Sequence, residues 1–359
     1  MIDPDKRYLL ARPRGGLNDT LVQLDMVRRY AGKMGRVLIL DMSRSGLHCA
    51  YDDLFTVCEG FGCEVIPWSP ELGKVLDTLT SVRPAVLAGR GSSYLSEYRK
   101  DTRRFHDCAT GTELRFDLEA DHPEQLLVYE QCGGGLRGIE VLGHLAFTRD
   151  IANEIATRLL ALGPDYDAIH IRHSDYRTDY QAFLRKAAPL FAGRRLLVCS
   201  DNAQVKAEAE ACLAGNVEVV SIADIPDTSG VPLHVTEDID RAAANVDLLA
   251  ELVAMTRAKR FVFTQLSKEG NFFGKFSGFA MLAEALRVVP DTVTGLFANA
   301  DRSLTEELFR SDRRASTRGS LRHAITRRLA ALDEFRWNYD ARKRARRIRR
   351  RSRNGTLSV

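Results

Sequence analysis

No apolar run in this chain reaches 18 residues, so no segment reads as a membrane span. The opening stretch MIDPDKRYLLARPRGG holds neither an apolar core nor a small-residue cleavage site, and no signal peptide is expected there. None of the seven cysteines (49, 58, 63, 108, 132, 199 and 212) forms C-x-x-C, and none is spaced with histidines as zinc ligands would be. They read as buried, reduced thiols of a cytosolic protein. There is no internal repeat and no long low-complexity linker ahead of the C-terminal tail. Aromatic residues make up only 8% of the chain. Without an aromatic-rich module beside its basic charge, the sequence argues against nucleic acid as the partner.

What is present is enough for two ordinary domains. The chain has 359 residues, of which 45% are hydrophobic, so a well-buried core is expected. The net charge of +4 hides an asymmetry. Residues 302–359 hold 18 basic and 6 acidic residues, against 34 and 42 in the remainder. A mildly acidic body therefore carries a strongly basic tail.

Strand-like apolar runs alternate with helix-like segments. RYLLARP (7–13) reads as a strand, followed by Gly15 and Gly16. In the next segment Leu21, Leu24, Val27 and Tyr30 share one helical face, with Asn18 or Asp19 able to cap it. RVLILD (36–41) is a second strand, and CEVIPW, AVLAG and LLVYEQC are weaker ones. Further on, the spacing predicts helix 149–162, strand 167–172, helix 178–191, strand 194–201, helix 202–213 and strand 217–222. Helix 241–257, strand 259–265 and helix 277–288 complete the pattern. Alternation of this kind implies parallel sheets covered by helices on both faces. Two such units are expected, residues 1–150 and 151–310, with 311–359 as a basic helical or disordered tail.

In open parallel sheets ligands bind beyond the carboxyl ends of the strands, and polar groups gather there in this sequence. Gly15 and Gly16 would let backbone N–H groups approach a ligand at a helix N-terminus, or form an ordinary turn. Arg172, ending strand 167–172, would meet a diphosphate with its planar fork, or pair with a nearby carboxylate. His170 is either a catalyst or a satisfied core residue. Asp201 would accept hydrogen bonds from a base or ribose, or cap the next helix. Ser277 opens a helix and would hold phosphate oxygens, or serve as a plain cap.

Taken in order, RPRGGLNDTLVQL, IHIRHSDY, VCSDNAQV, PLH and the segment from DLLAELVAMTRAKRFVFTQLS to FSGFAMLAEAL resemble the fucosyltransferase superfamily. Its α-1,6 nodulation branch is the most similar. The likeness spans roughly residues 8–290 and implies a GT-B architecture, two Rossmann-like domains facing across a cleft. It implies an inverting transfer, independent of metal and cofactor, from a nucleotide sugar such as GDP-fucose to a glycan or lipid-linked glycan. Carried over by residue, it makes Arg172 the pyrophosphate ligand, His170 the motif histidine and Asp201 a neighbour of the guanosine. Ser277 and Phe279 would lie by the phosphates, and Gly15, Gly16 and Asn18 would reach across the cleft. The sequence departs from the pattern in the long step LSKEGNFFGKF, in Ala280 where relatives have a second hydroxyl, and in His173 where α-1,2 enzymes have arginine.

Inverting transfer needs a base for the acceptor hydroxyl. Asp175 follows the strand end most closely and ranks first, ahead of Asp19 and Glu269, with His173 as an alternative that would instead orient phosphate. The Asp-x-Asp pair Asp238 and Asp240 resembles a metal motif, but its place before a helix accounts for it without metal. The tail ARKRARRIRRRSR is read as a solvated end or as an anchor on anionic lipid, the latter placing a cytoplasmic enzyme at the inner membrane. The alternatives are a noncatalytic nucleotide- or glycan-binding protein and a nucleic-acid-associated protein.

Overall fold

A computed structural model of the chain describes residues 2–134, 138–228, 230–236, 239–266 and 276–310. Glu269, Asp238 and the basic tail from residue 311 lie outside them, so the expectations on those residues are not addressed by it. The described residues all belong to one compact unit.

The chain opens with β1 (Tyr8–Ala11), α1 (Leu17–Lys33) and β2 (Val37–Leu40), then β3 (Phe55–Val57), β4 (Val65–Pro67) and α2 (Pro70–Leu76). After β5 (Val82–Arg83) come a hairpin, β6 (Ser96–Arg99) and β7 (Arg104–Asp107), and β8 (Leu126–Tyr129). Strands β4, β2, β1, β8 and β5, in that order, form a five-stranded parallel sheet. β1 is buried along its whole length because helices and loops cover both faces, as expected of a central parallel strand. Its alternation splits the side chains between two cores. Leu9 and Ala11 join one apolar cluster, while Tyr8 and Leu10 join another.

α3 (Gly138–Leu142), β9 (Leu145–Phe147) and α4 (Arg149–Leu162) lead into the second sheet. There β10 (Asp167–Ile171), α5 (Tyr180–Phe191), β11 (Arg195–Ser200), α6 (Ala203–Leu213) and β12 (Glu218–Val220) follow one another. α7 (Arg241–Arg257), β13 (Phe261–Phe263) and α8 (Gly278–Leu286) complete it, in the order β12-β11-β10-β13 with all pairs parallel. The α/β architecture with two parallel sheets is the one expected from the sequence. α9 (Pro290–Gly295) and α10 (Arg302–Leu308) then return to the first half. The Phe147 N–H donates to the Leu296 carbonyl at 2.8 Å, and the Phe297 ring packs edge-on against Phe147 at 5.6 Å. One apolar core therefore runs through both halves.

Several local expectations change. AVLAG is not a strand: Ala85–Leu87 is a single 3₁₀ turn. The β6–β7 hairpin and the antiparallel pair β3–β9 were not anticipated, because three- and four-residue strands give too little alternation to read. Neither Asn18 nor Asp19 caps α1, since the N-cap is Gly16 and both sit inside the first turn. The cysteines are free, but only Cys199 is buried, and Cys108, Cys132 and Cys212 are exposed. Among the described residues no helix is long and apolar enough to cross a membrane.

Candidate functional site

Each sheet has a point where its strand order reverses, and each collects polar groups there. In the second sheet the chain runs outward from β10 to β11 and β12, then returns to the other side of β10 as β13. The register pairs Ile171 with Ser200, so the next residues, Arg172 and Asp201, emerge side by side. The Arg172 guanidinium reaches Asp201 Oδ2 at 3.0 Å and Asp175 Oδ1 at 2.6 Å. Its backbone N–H donates to Thr264 Oγ1 at 3.1 Å, just past β13. Burial works against the arginine's charge, yet Asp201 and Asp175 raise its pKa above the ordinary value.

Asp201 is the hub of this loop. It accepts the His173 backbone N–H at 2.7 Å and the Ser174 hydroxyl. It does not cap α6, because Asn202 takes that role by accepting the Val205 N–H at 3.0 Å. His173 Nδ1 accepts the Thr178 backbone N–H at 3.2 Å. The ring packs edge-on against Tyr180 at 4.8 Å.

His170 lies on the same strand, on the face opposite Ile169 and Ile171. It is buried, and its ring lies 5.6 Å from that of Phe279 at the start of α8. Burial pushes its imidazole down to about 4, although Asp201 pulls upward. Nδ1 has no hydrogen-bond partner. Ser277 is the buried N-cap of α8, but its side chain makes no capping bond.

In the first sheet the reversal lies between β1 and β8. The Gly15–Gly16 turn follows β1, and Cys132 lies opposite through a bridge to Arg14. Gly15 has φ +93°, and a Cβ there would meet Asp19 Oδ2 at 2.7 Å. Glycine is needed both for the backbone and for the carboxyl folded over it. The charges of Arg172 and Asp175, from the second sheet, act on the Asp19 carboxyl. The α1 N-terminus favours the anion. Burial nevertheless prevails: it pushes the Asp19 carboxyl up to about 7, with Arg172 opposing and Asp175 reinforcing the shift. The two halves come close enough at α8 that a Cβ on Gly278 would meet Asn18 Nδ2 at 2.9 Å.

The structure thus brings Gly15, Gly16, Asn18, Asp19, Arg172, His173, Asp175 and Asp201 to the strand ends where the two sheets approach, with His170, Ser277 and Phe279 at the adjoining α8 end. Asp240 caps α7 by accepting the Ala243 N–H at 3.0 Å. Sequence reasoning missed Thr178 and Thr264, which fasten the Arg172 loop, and Glu251, fully inside the second half. Burial pushes Glu251 up to about 8 beside Cys199 and Lys206. The only signal for it was a charged residue on the apolar face of α7.

No protein-family model and no curated protein matches the sequence. Among solved structures, the fucosyltransferase NodZ from Bradyrhizobium aligns with a TM-score of 0.50 at 18% identity, over 79% of this chain and 94% of that one. NodZ α-1,6-fucosyltransferase co-crystallised with GDP gives 0.47 at 18% identity, over 79% and 93%. A variant of Arabidopsis thaliana FUT1 in complex with GDP gives 0.39 at 13% identity, over 82% and 70%. The first of these likenesses shows a fucosyltransferase-type fold.

Proposed function

We propose that this chain is a glycosyltransferase that moves a sugar, fucose from GDP-fucose, to a glycan or lipid-linked glycan with inversion and without a metal or cofactor. The observation that carries the reading is Arg172 at the end of β10, where the second sheet reverses, with its guanidinium 2.6 and 3.0 Å from Asp175 and Asp201. The base in this reading is Asp19, whose carboxyl is raised to about 7. A carboxyl of that pKa is half ionised at neutral pH and is well matched to take a proton from a hydroxyl. Asp175 is less suited to that task, because its carboxylate is already engaged with Arg172 at 2.6 Å.

In this reading the Asp19 carboxylate removes the acceptor proton as the acceptor oxygen attacks the anomeric carbon. The bond from that carbon to the diphosphate oxygen breaks, its electron pair leaves with GDP, and the configuration inverts. Arg172 offsets the charge that develops on the diphosphate. Two carboxylates already match Arg172, so the donor must displace one of them. Asp175, at 31% side-chain exposure against 12% for Asp201, is the one to yield. Asp201, fastened by His173 and Ser174, stays as part of the nucleotide site.

Thermal stabilisation by nucleotides tests the reading, since a ligand that binds the native state raises stability by mass action. GDP is expected to raise the unfolding temperature more than UDP, and GDP-fucose to release GDP when an acceptor is present. If no nucleoside diphosphate stabilises the protein, the reading is wrong. Stabilisation without turnover would mark a nucleotide-binding protein that has kept the fold.

A further inference from the structure

The β6–β7 hairpin has no role in the reading so far, yet it is fastened to the turn that presents Asp19. Its register pairs Ser96 with Asp107 and Tyr98 with Phe105, so Ser96, Tyr98 and Phe105 share one face. Arg14, the residue before Gly15, binds that face. Its guanidinium donates to Ser96 Oγ at 2.9 Å and lies 4.8 Å over the Phe105 ring. The hairpin is therefore locked in place beside the glycine turn. Tyr98 packs against Phe105 at 5.3 Å and keeps 42% of its surface exposed.

Tyr176, on the loop that carries Arg172 and Asp175, approaches from the other half. It lies within electrostatic reach of Tyr98, Asp19, Arg172 and Asp175 together. Tyr98, exposed on the hairpin that Arg14 fixes beside the glycine turn, and Tyr176, half-buried on the Arg172 loop, thus approach that turn from the two halves. A flat aromatic face suits the apolar C–H face of a pyranose, and phenol hydroxyls suit its rim.

Resting on the glycosyltransferase reading, we infer that Tyr98 and Tyr176 form the acceptor subsite, holding a sugar ring between them so that one of its hydroxyls meets Asp19. The acceptor is then a carbohydrate gripped by its ring, rather than a peptide side chain. Tyr98 belongs to a hairpin fixed by Arg14, whereas Tyr176 sits on the Arg172–Asp175 loop. Donor binding, which displaces Asp175, would thus also set the position of one wall of the acceptor site.

Saturation-transfer NMR tests this with full-length protein in the presence of GDP. The probes are a panel of di- to tetrasaccharides built from the common hexoses and N-acetylhexosamines, with a Ser/Thr-containing peptide as control. At least one oligosaccharide is expected to receive saturation at its ring protons. That signal should fall at least five-fold in Tyr98→Ala and in Tyr176→Ala and persist in Tyr98→Phe, while GDP saturation stays unchanged in all three. The inference is overturned if no oligosaccharide is saturated, if the peptide alone is, or if the sugar signal survives both alanine variants. Absence of GDP saturation in the wild type would count against the nucleotide-sugar reading instead, and a Tyr98-dependent sugar signal would stand without it.

Discussion

Arginine–carboxylate clusters stand at the ends of both sheets, and they are built to opposite effect. In the first sheet Arg14 and Arg44 converge on Glu130, whose side chain is fully buried, at 2.6 and 3.2 Å. Tyr94 donates its hydroxyl to the same carboxylate at 2.6 Å, and Ser96 does so at 2.6 Å. Arg44 also lies over the Tyr94 ring at 4.9 Å. Burial alone would raise the Glu130 pKa, but Arg14, Arg44 and the two hydroxyls hold it below the ordinary value. In the second sheet a single arginine faces two carboxylates that both reach solvent. The first cluster joins strand ends, hairpin and loop. The second leaves excess negative charge around an arginine that an anionic ligand can claim. Residue type does not separate the two; burial of the carboxylate does.

The largest effect expected on this contrast concerns Asp19. Asp19→Asn should lower kcat by roughly 10²–10⁴-fold, the range for loss of a positioned base. In the wild type, activity should rise with pH through about 7, where burial places the Asp19 carboxyl, because only the ionised form accepts a proton. The asparagine variant should lose that limb. An unchanged pH profile in Asp19→Asn would remove Asp19 from the chemistry.

Glu130→Ala comes next and should act on the fold. Removing one partner of a buried ion pair costs about 3–5 kcal/mol, because the other charge is left uncompensated. Urea unfolding should show that loss. Since the folded pKa of Glu130 is depressed, its stabilisation is fully present above the ordinary value of 4.5 and drains away as pH falls through the lower, folded value. A Glu130→Ala protein of wild-type stability would erase the distinction drawn between the clusters.

Arg172→Ala should do the reverse, leaving stability nearly intact while weakening GDP. Charged hydrogen bonds contribute roughly 1.5–3 kcal/mol each, so GDP affinity measured by calorimetry should fall by about 10- to 150-fold. Arg172→Lys should rescue little, because an ammonium lacks the planar fork. Equal loss of stability in Arg172→Ala and Glu130→Ala would mean that both clusters are structural.

The smallest effects belong to Asp240. As the α7 cap it should cost about 1 kcal/mol on replacement by alanine, with turnover unchanged and chelation by EDTA likewise without effect. Turnover abolished by EDTA and restored by Mn²⁺ would revive the Asp-x-Asp pair as a metal site.

Much of the fold was legible in the sequence. IHI reads as a buried strand because its neighbours alternate, and β10 lies there with Ile169 and Ile171 in one core and His170 on the other face. Leu21, Leu24, Val27 and Tyr30, spaced along one helical face, are all buried. The elements that escaped notice are short: the helices α2, α3, α9 and α10, and the strands β3, β5, β6, β7 and β9, which form where a partner strand is near. The hairpin matters most among them, since it carries Tyr98.

The sequence by itself determined the alternation of the longer strands and helices, the need for glycine beside the first strand, and the placement of Arg172 and Asp201 at the ends of β10 and β11. Periodicity and strand-end polarity are local properties of the chain, so they survive in the linear string. Only the tertiary structure decided which carboxyl pairs with Arg172, which arginines are bound by a buried glutamate, and which acid is left in the cleft with a raised pKa. Desolvation and Coulomb interactions depend on groups brought together from distant segments. Asp175 follows Arg172 closely in sequence and is therefore engaged by it. Asp19, remote in sequence, comes under the charge of the same arginine only in the folded chain.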